Sequence, residues 1–155
     1  MILILDNIRS VHNVGSIFRT ADAAGIETIY LVGYTPTPLD RFGTPRKDFA
    51  KVSLGAEHSV PWEQFESIEA ATTAAREQGY VVGALEQYKD STDLFSYTPP
   101  KKFALVVGNE VDGVSSATLK ACDVVLEIPM QGTKESLNVS VAAGVAMFTL
   151  LNSKS

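Results

Sequence analysis

Short apolar runs alternate with segments of helical periodicity along the chain. Five runs rich in Val, Ile, Leu and aromatic residues predict strands, most of them buried on both faces, at 2–5, 28–32, 80–85, 103–107 and 124–128. Four segments with apolar residues at helical spacing predict helices, at 13–24, 66–78, 116–120 and 138–151. Gly25 and Gly79 follow two of these helices at the place of a left-handed cap. The alternation predicts an α/β fold with a mostly parallel sheet flanked by helices.

The composition indicates one globular domain over residues 1–155. Of the 155 residues, 45% are apolar and 20% are charged, and neither a repeat nor a linker divides them. A chain of this length buries roughly 68–70% of the surface that it exposes when unfolded. The single cysteine, Cys122, allows neither an internal disulfide nor a cysteine-based zinc site, so we expect a reducing, cytoplasmic location and no metal. The apolar tract 139–151 is shorter than the ~20 residues of a membrane span, so we expect no membrane association.

The net charge of -5 is distributed unevenly. Residues 1–60 hold six basic and six acidic side chains, whereas residues 61–155 hold seven basic and twelve acidic ones. Segment 41–51 contains one acidic residue, Asp48, and four basic ones: Arg41, Arg46, Lys47 and Lys51. A polyanion, if one binds, should meet this segment, because counterion release depends on local clusters of charge. On charge alone a solvated surface loop is the favoured interpretation, since short basic clusters are common.

Ligands of parallel sheets bind beyond the carboxyl ends of the strands, so the loops that follow strands are candidate sites. The first such loop is DNIRSVHNVG at 6–15, where Asn13 can cap the next helix and Gly15 allows close approach of a neighbouring backbone. Arg19 follows on that helix, away from its apolar stripe. By spacing alone, the favoured interpretations are an ordinary helix cap and a surface ion pair between Arg19 and Asp22.

A second loop, GNEVDGVS at 108–115, follows the fourth predicted strand. Its two glycines bracket Asn109 and Glu110 and form a tight turn whose backbone groups can reach a nucleoside. It has neither the phosphate-loop pattern nor the dinucleotide-binding pattern of glycines. A plain turn, with Ser115 or Ser116 capping the next helix, is supported equally well.

A third loop, IPMQGTKESLNVS at 128–140, follows the last predicted strand. Pro129 ends that strand, and Asn138 can cap the terminal helix. The small and polar residues between them, next to a very apolar helix, suit a ligand with an apolar ring and a polar rim. The alternative is a long connection that ends in a good helix cap.

These motifs together resemble those of the SpoU, or TrmH-like, branch of the SPOUT RNA methyltransferases. The resemblance lies in NVGSIFRTADAAG at 13–25, GNEVDGV at 108–114, and IPM at 128–130 with SLNVSVA at 136–142. KVSLGAE at 51–57 also fits the Lys-x-Ser-x-Gly-Ala stretch of the family. The three motifs occur in order, each at a strand end, and the resemblance covers nearly the whole chain. The resemblance implies a homodimer whose C-terminal segment forms a deep trefoil knot, an exception to the rule that chains do not thread.

The resemblance also implies transfer of a methyl group from S-adenosylmethionine to a ribose 2′-hydroxyl of tRNA or rRNA. Arg19 matches the catalytic arginine of the family, and Asn13 would position it. Because a guanidinium stays protonated, we expect Arg19 to stabilise a developing alkoxide and to grip the adjacent RNA phosphate. Deprotonation of the hydroxyl, by a guanidinium of depressed pKa or by relay to that phosphate, stays open. The other residues that the resemblance assigns to catalysis are Glu110, Ser136 and Asn138.

The resemblance places the cofactor in the knot loops. The residues implied there are Leu85, Gly108, Asn109, Ile128, Met130, Ser136 and Leu137. The chain begins directly at the first strand, so we expect no separate N-terminal RNA-binding domain. RNA recognition is then expected from the catalytic domain itself, doubled by dimer symmetry. The RNA-binding residues expected are Arg9, Arg41, Arg46, Lys47 and Lys51.

Two alternative functions are open at this point. One is a catalytically inactive RNA-binding module of the same fold, which is disfavoured because the expected catalytic residues are present: Asn13, Arg19, Glu110, Ser136 and Asn138. The other is a doubly wound domain that binds another nucleotide or acts in signalling, which the missing phosphate loop and acidic phospho-acceptor cluster disfavour. Of the two histidines, His12 is expected in an exposed loop and His58 in a strand before Pro61.

Overall fold

The computed structural model describes residues 1–153 and is built on a parallel seven-stranded sheet. The strands are β1 (Ile2–Asp6), β2 (Thr28–Val32), β3 (Trp62–Phe65), β4 (Val81–Leu85), β5 (Thr92–Asp93), β6 (Phe103–Val107) and β7 (Val124–Glu127). Their order across the sheet is β3-β2-β1-β6-β4-β7-β5, and each of these neighbouring pairs is parallel. The predicted mostly parallel sheet is confirmed.

Helices cover both faces of the sheet. They are α1 (Val11–Ala24), α2 (Lys47–Ser53), α3 (Ala56–Ser59), α4 (Ile68–Glu77), α5 (Ser116–Ala121) and α6 (Val139–Asn152), with a 3-10 turn at Leu94–Ser96. Buried side chains of α1, α2, α3 and α6 join one hydrophobic cluster, and those of α4 and α5 join another on the opposite face. Gly25 ends α1 with a φ of 84°, which is the left-handed cap that the sequence predicts.

Strand β1 is buried on both faces, because successive side chains point to opposite sides of the sheet. Leu3 and Leu5 pack in the cluster that contains α1 and α6, whereas Ile2 and Ile4 pack in the cluster that contains α4 and α5. All four side chains are at most 1% exposed. A strand buried in this way has a continuous apolar run, which is why the sequence predicts it so clearly.

Three local predictions from the sequence are wrong. His12 is exposed as expected, but it lies in the first turn of α1 and not in a loop. His58 lies in α3 and not in a strand, since Gly55 and the left-handed Leu54 turn the chain into one further helical turn. Asn13 is not the cap of α1: that helix begins earlier, and the Ser10 hydroxyl oxygen accepts the Asn13 backbone N–H at 3.1 Å. The side chain of Asn13 is therefore available for a different partner.

The predicted role of Gly15 is confirmed. A Cβ atom at this position would lie 3.1 Å from Val52 Cβ and 3.3 Å from the Phe49 carbonyl oxygen. Glycine therefore lets α1 and α2 pack closely together. The expected ion pair between Arg19 and Asp22 is not among the salt bridges of residues 1–153.

Candidate active site

The side-chain amide of Asn13 connects three loops at the carboxyl edge of the sheet. Its Nδ2 donates to Glu110 Oε2 at 3.0 Å, and its Oδ1 accepts from Asn138 Nδ2 at 3.4 Å. Asn13 follows β1, Glu110 follows β6 and Asn138 follows β7. Asn13 is only 9% exposed, so these contacts satisfy polar atoms that water does not reach freely. Three of the five residues that the sequence assigns to catalysis therefore meet.

Glu110 accepts hydrogen bonds from the backbone that leads into α1. Its carboxylate accepts the Arg9 N–H at 2.9 Å and the Ser10 N–H at 3.0 Å, in addition to Asn13. Partial burial raises the pKa of Glu110, but the hydrogen bonds from Arg9, Asn13 and Ser10 outweigh that effect and leave the pKa below its usual value. Glu110 is thus a carboxylate held ionised at the start of a helix, where the helix dipole also favours negative charge.

Asn109 organises the turn that carries Glu110. Its Nδ2 donates to the Asn7 carbonyl oxygen and to the Tyr34 hydroxyl oxygen, both at 2.8 Å. Its Oδ1 accepts the backbone N–H groups of Val111 and Asp112 at 2.8 and 3.0 Å. The side chain of this buried residue is therefore fully engaged within the protein, and a cofactor would meet only its backbone.

Glycine is required at position 108 by close packing of the turn on itself. A Cβ atom there would lie 2.5 Å from the Gly113 carbonyl oxygen and 2.6 Å from the Val114 nitrogen. Gly113 itself has a φ of 65° and closes the turn with a hydrogen bond to the Asn109 carbonyl oxygen at 2.9 Å. The sequence motif GNEVDGV thus encodes a compact turn at the end of β6.

The loop after β4 supports the site, although the sequence does not single it out. Glu86 Oε2 accepts the Val114 N–H at 3.0 Å and so holds the turn after β6. The side-chain amide of Gln87 donates to the carbonyl oxygen of Glu135, which lies in the loop after β7. Both residues directly follow Leu85 at the end of a parallel strand, and that position is the signal that could have revealed them.

The residues expected to hold the cofactor lie at the ends of neighbouring strands. In the register of the sheet Leu85 pairs with Val107 on one side and with Leu126 on the other. Gly108 and Ile128 therefore follow strands that flank β4 directly. Ile128 and Met130 are half-buried, whereas Ser136 and Leu137 lie in the exposed part of the loop after β7.

The residues expected to hold the cofactor combine strand-end backbone groups with the apolar side chains of Leu85, Ile128, Met130 and Leu137. A set of this kind suits an aromatic ring with a polar rim. Within residues 1–153, no group of three or more His, Cys, Asp or Glu side chains is placed to hold a metal ion. No helix in the same range is long and apolar enough to cross a membrane.

Arg19 and Ser136 stand apart from the hydrogen-bonded group. Arg19 is exposed on α1, and its side chain makes none of the hydrogen bonds or salt bridges found within residues 1–153. The next residue, Thr20, faces α6: a Cβ atom on Gly144 would lie 3.4 Å from its Cγ2. Ser136 is exposed in the loop after β7. Arg19 thus lies one residue away from the contact between α1 and α6.

The expected RNA-binding side chains have different surroundings. Arg9, Arg41, Lys47 and Lys51 are exposed, and the Arg41 guanidinium lies 4.8 Å from the centre of the Phe42 ring. Arg46 is already paired, because its Nε and Nη2 donate to the two carboxylate oxygens of Asp48 at 3.1 and 2.9 Å. This pairing lowers the pKa of Asp48. The basic segment 41–51 starts in a turn that an antiparallel bridge between Leu39 and Pro45 closes, and it continues into α2.

Comparison with known proteins shows which protein family has these sequence motifs. Residues 1–148 match the SpoU rRNA Methylase family. The 23S rRNA (guanosine-2′-O-)-methyltransferase RlmB of Neisseria meningitidis is 34% identical over 148 residues, which are 95% of this chain and 56% of that protein. The chain thus spans about half the length of this curated relative.

Solved structures share the fold across almost the whole chain. An AdoMet-bound rRNA methyltransferase from Sinorhizobium meliloti matches with a TM-score of 0.85 and 29% identity, over 96% of this chain and 54% of that one. The TrmH/SpoU tRNA modifying enzyme of A. aeolicus matches with a TM-score of 0.82 and 28% identity, over 97% of this chain and 73% of that one. Since the family match runs through all three strand-end motifs, the chain belongs to the SpoU rRNA methylase family.

Proposed function

We propose that the chain is an RNA methyltransferase that uses S-adenosylmethionine to methylate a ribose 2′-hydroxyl of tRNA or rRNA. The observation that carries this proposal is the Asn13 amide, which joins the loops after β1, β6 and β7 into one site. The relatives support it, because one is named as an rRNA guanosine-2′-O-methyltransferase and another as a tRNA modifying enzyme.

The cofactor would lie across the ends of β4, β6 and β7. When bound, S-adenosylmethionine supplies a methyl group whose carbon–sulfur bond breaks with both electrons staying on sulfur, while a carbon–oxygen bond forms to the ribose and the hydroxyl proton passes to the adjacent RNA phosphate or to water. Backbone groups at Leu85, Gly108 and Ile128 would bind the polar rim of the nucleoside. Met130 and Leu137 would cover its apolar face, and Asn109 would contribute through its backbone.

Arg19 would supply positive charge where the reaction develops negative charge. Its guanidinium is exposed and has no partner among residues 1–153, so it can meet both the attacking oxygen and the adjacent RNA phosphate. Glu110 and Asn138 would fix the side chain of Asn13 at the edge of this surface. Ser136 would border the same surface from the loop after β7.

The proposal includes a homodimer with the site near the contact between protomers. Helix α6 is apolar on nearly all sides, and such a helix is normally buried all round. In the single chain Val141 and Phe148 are nevertheless 51% and 45% exposed. A second copy would cover them and would bring further residues close to the surface that carries Arg19. The C-terminal trefoil knot and a cytoplasmic location belong to the same proposal.

The decisive experiment combines cofactor binding with methyl transfer. The purified chain is titrated with S-adenosylhomocysteine by calorimetry and is then incubated with radiolabelled S-adenosylmethionine and either total tRNA or ribosomal RNA. Label that is recovered as a 2′-O-methyl nucleoside supports the proposal and identifies the RNA class. Cofactor binding with no label in either RNA would favour the inactive RNA-binding module, and the absence of cofactor binding would overturn the proposal.

A further inference from the structure

An exposed tyrosine is hydrogen-bonded to residues of the candidate site. Tyr34 lies just beyond β2 and is 60% exposed. Its hydroxyl oxygen nevertheless accepts from Asn109 Nδ2 at 2.8 Å, and its backbone N–H donates to Asn7 Oδ1 at 3.1 Å. Tyr34 is therefore hydrogen-bonded through both its backbone and its hydroxyl group, while much of its surface stays open to solvent. Asn109 is the residue that organises the turn bearing Glu110, so the ring borders the site directly.

The backbone around Tyr34 adopts uncommon conformations that position it. Asn7 has a φ of 55° and Gly33 a φ of 66°, and both values lie in the left-handed region. Any side chain at Gly33 would overlap Asn7, since a Cβ atom there would lie 2.9 Å from Asn7 Cγ. Asparagine and glycine adopt this region more readily than other residues do, and the turn places Asn7 Oδ1 against the Tyr34 N–H. Here the held group is an exposed ring, so core packing does not account for the arrangement.

The charge near Tyr34 limits what the ring can bind. The carboxylate of Glu110 lies in the turn that Asn109 anchors to the Tyr34 hydroxyl. This carboxylate and the exposed Arg9, whose backbone N–H donates to it, leave no net positive charge at this point, so the uncharged face of a base suits the ring better than a phosphate does. Later in the same connection between β2 and α2, Arg41 covers the exposed Phe42 ring and supplies the positive charge that a nucleic acid backbone needs.

We propose that the ring of Tyr34 stacks on one unpaired base of the RNA, next to the nucleotide whose ribose is methylated. The inference rests on the proposed function, because it presumes that RNA reaches the site beside Glu110. Proteins that bind single-stranded RNA commonly stack splayed bases on Tyr, Phe or Trp rings. Tyr34 would thereby orient the target ribose without touching the reacting atoms, so it is a positioning residue.

The test separates stacking from a purely structural role of the hydroxyl group. Tyr34→Leu removes the aromatic face, whereas Tyr34→Phe keeps the face and removes only the hydrogen bond with Asn109. Binding is followed with a short single-stranded RNA that carries one 2-aminopurine, whose fluorescence is quenched by stacking. We expect Tyr34→Leu to lose the quenching and to weaken binding about tenfold, and Tyr34→Phe to keep both within about threefold of the unaltered protein.

A matched control removes an equally exposed ring elsewhere. Phe95 is 59% exposed in the 3-10 turn after β5, at the opposite edge of the sheet from β2, and Phe95→Leu should leave quenching unchanged. Equal losses in Tyr34→Leu and Tyr34→Phe would overturn the proposal in favour of a structural hydroxyl. A changed oligomeric state of Tyr34→Leu by light scattering, with quenching intact, would overturn it in favour of a protein interface.

The methyl-transfer assay gives a separate readout. In Tyr34→Leu we expect the KM for total tRNA or ribosomal RNA to rise about tenfold, with the Kd for S-adenosylhomocysteine unchanged. Failure of the unaltered protein to methylate either RNA would count against the proposed function alone, because the quenching experiment needs no methyl transfer. Unchanged quenching in Tyr34→Leu would count against the stacking proposal alone.

Discussion

Asn13 and Glu110 are 97 positions apart in the chain and are joined by a side-chain hydrogen bond of 3.0 Å. The contact exists because β1 and β6 are neighbours in the sheet, so the loops that follow them leave the same edge side by side. Glu110 also accepts two backbone N–H groups at the entry to α1. One carboxylate thus fixes the start of a helix and the amide at the centre of the candidate site.

The lowered pKa of Glu110 predicts a loss of stability in acid. A carboxyl group whose pKa is lower in the folded chain than in the unfolded chain stabilises the fold above its unfolded pKa of about 4.3. That contribution is lost as the pH falls through the folded pKa. In urea unfolding, Glu110→Gln should therefore be less stable than the unaltered protein at about pH 7, and the difference should shrink below about pH 4.

The control for this comparison of urea unfolding at neutral and acid pH is Glu66→Gln. Glu66 is exposed and accepts no hydrogen bond within residues 1–153, so its replacement should change the free energy of unfolding little at either pH. A stability difference for Glu110→Gln that stays constant from neutral to acid pH would contradict the argument. It would mean that the effect comes from packing and not from the ionised carboxylate.

The turn after β6 should not tolerate a side chain at position 108. A Cβ atom there meets backbone atoms of Gly113 and Val114, which cannot move aside as a flexible side chain can. We expect Gly108→Ala to lower the free energy of unfolding by about 1–3 kcal/mol and to weaken S-adenosylhomocysteine binding. Gly132→Ala is the matched control, because a Cβ atom at that position has nothing within 4 Å. Similar losses in both variants would refute the steric explanation.

Strands that are buried on both faces could be predicted from the sequence, and exposed ones could not. Strand β3 escapes prediction because its central residues Glu63 and Gln64 are exposed at the edge of the sheet. Strand β5 is only two residues long and carries no pattern at all. Helix α2 overlaps the basic segment, and only Phe49 and Ser53 of its residues are buried, so it has little apolar periodicity. Exposure removes the periodic signal on which the interpretation of a sequence depends.

The candidate site could be located from the sequence, but its connections could not. The rule that ligands bind beyond the carboxyl ends of strands leads to the loops after β1, β6 and β7. It does not give the strand order, which places β6 between β1 and β4 and so brings Glu110 to Asn13. The pairing of Glu86 with the turn after β6 depends on the same order. Long-range pairing of this kind has no local signature.

The basic segment should contribute to RNA binding through phosphate contacts. Lys47 and Lys51 are exposed on α2 and have no carboxylate partner among residues 1–153. Each of Lys47→Gln and Lys51→Gln should weaken binding and lower the slope of log affinity against log salt by about 0.7–0.9. Arg46→Gln should have a smaller effect, since Arg46 is already paired with Asp48. Lys120→Gln, on α5, is the control, and an equal change of slope there would contradict a localised RNA surface.

Arg19 should affect the rate of methyl transfer and not the affinity for the cofactor. Its exposed guanidinium has no role in the hydrogen bonding of the fold, so Arg19→Ala should leave the free energy of unfolding nearly unchanged. Loss of charge stabilisation at the developing alkoxide should lower kcat by about 100-fold or more, as removal of an oxyanion-hole donor does. The Kd for S-adenosylhomocysteine should stay the same.

Arg41→Ala separates this effect from a general loss of positive charge. Arg41 is also exposed but lies before α2, so its replacement should raise the KM for RNA and leave kcat nearly unchanged. An Arg19→Ala enzyme with full turnover would remove Arg19 from the chemistry, whatever its contribution to RNA affinity. If both variants change only KM, Arg19 serves as a phosphate contact, and the group that stabilises the reacting oxygen must be sought around Ser136 and Asn138.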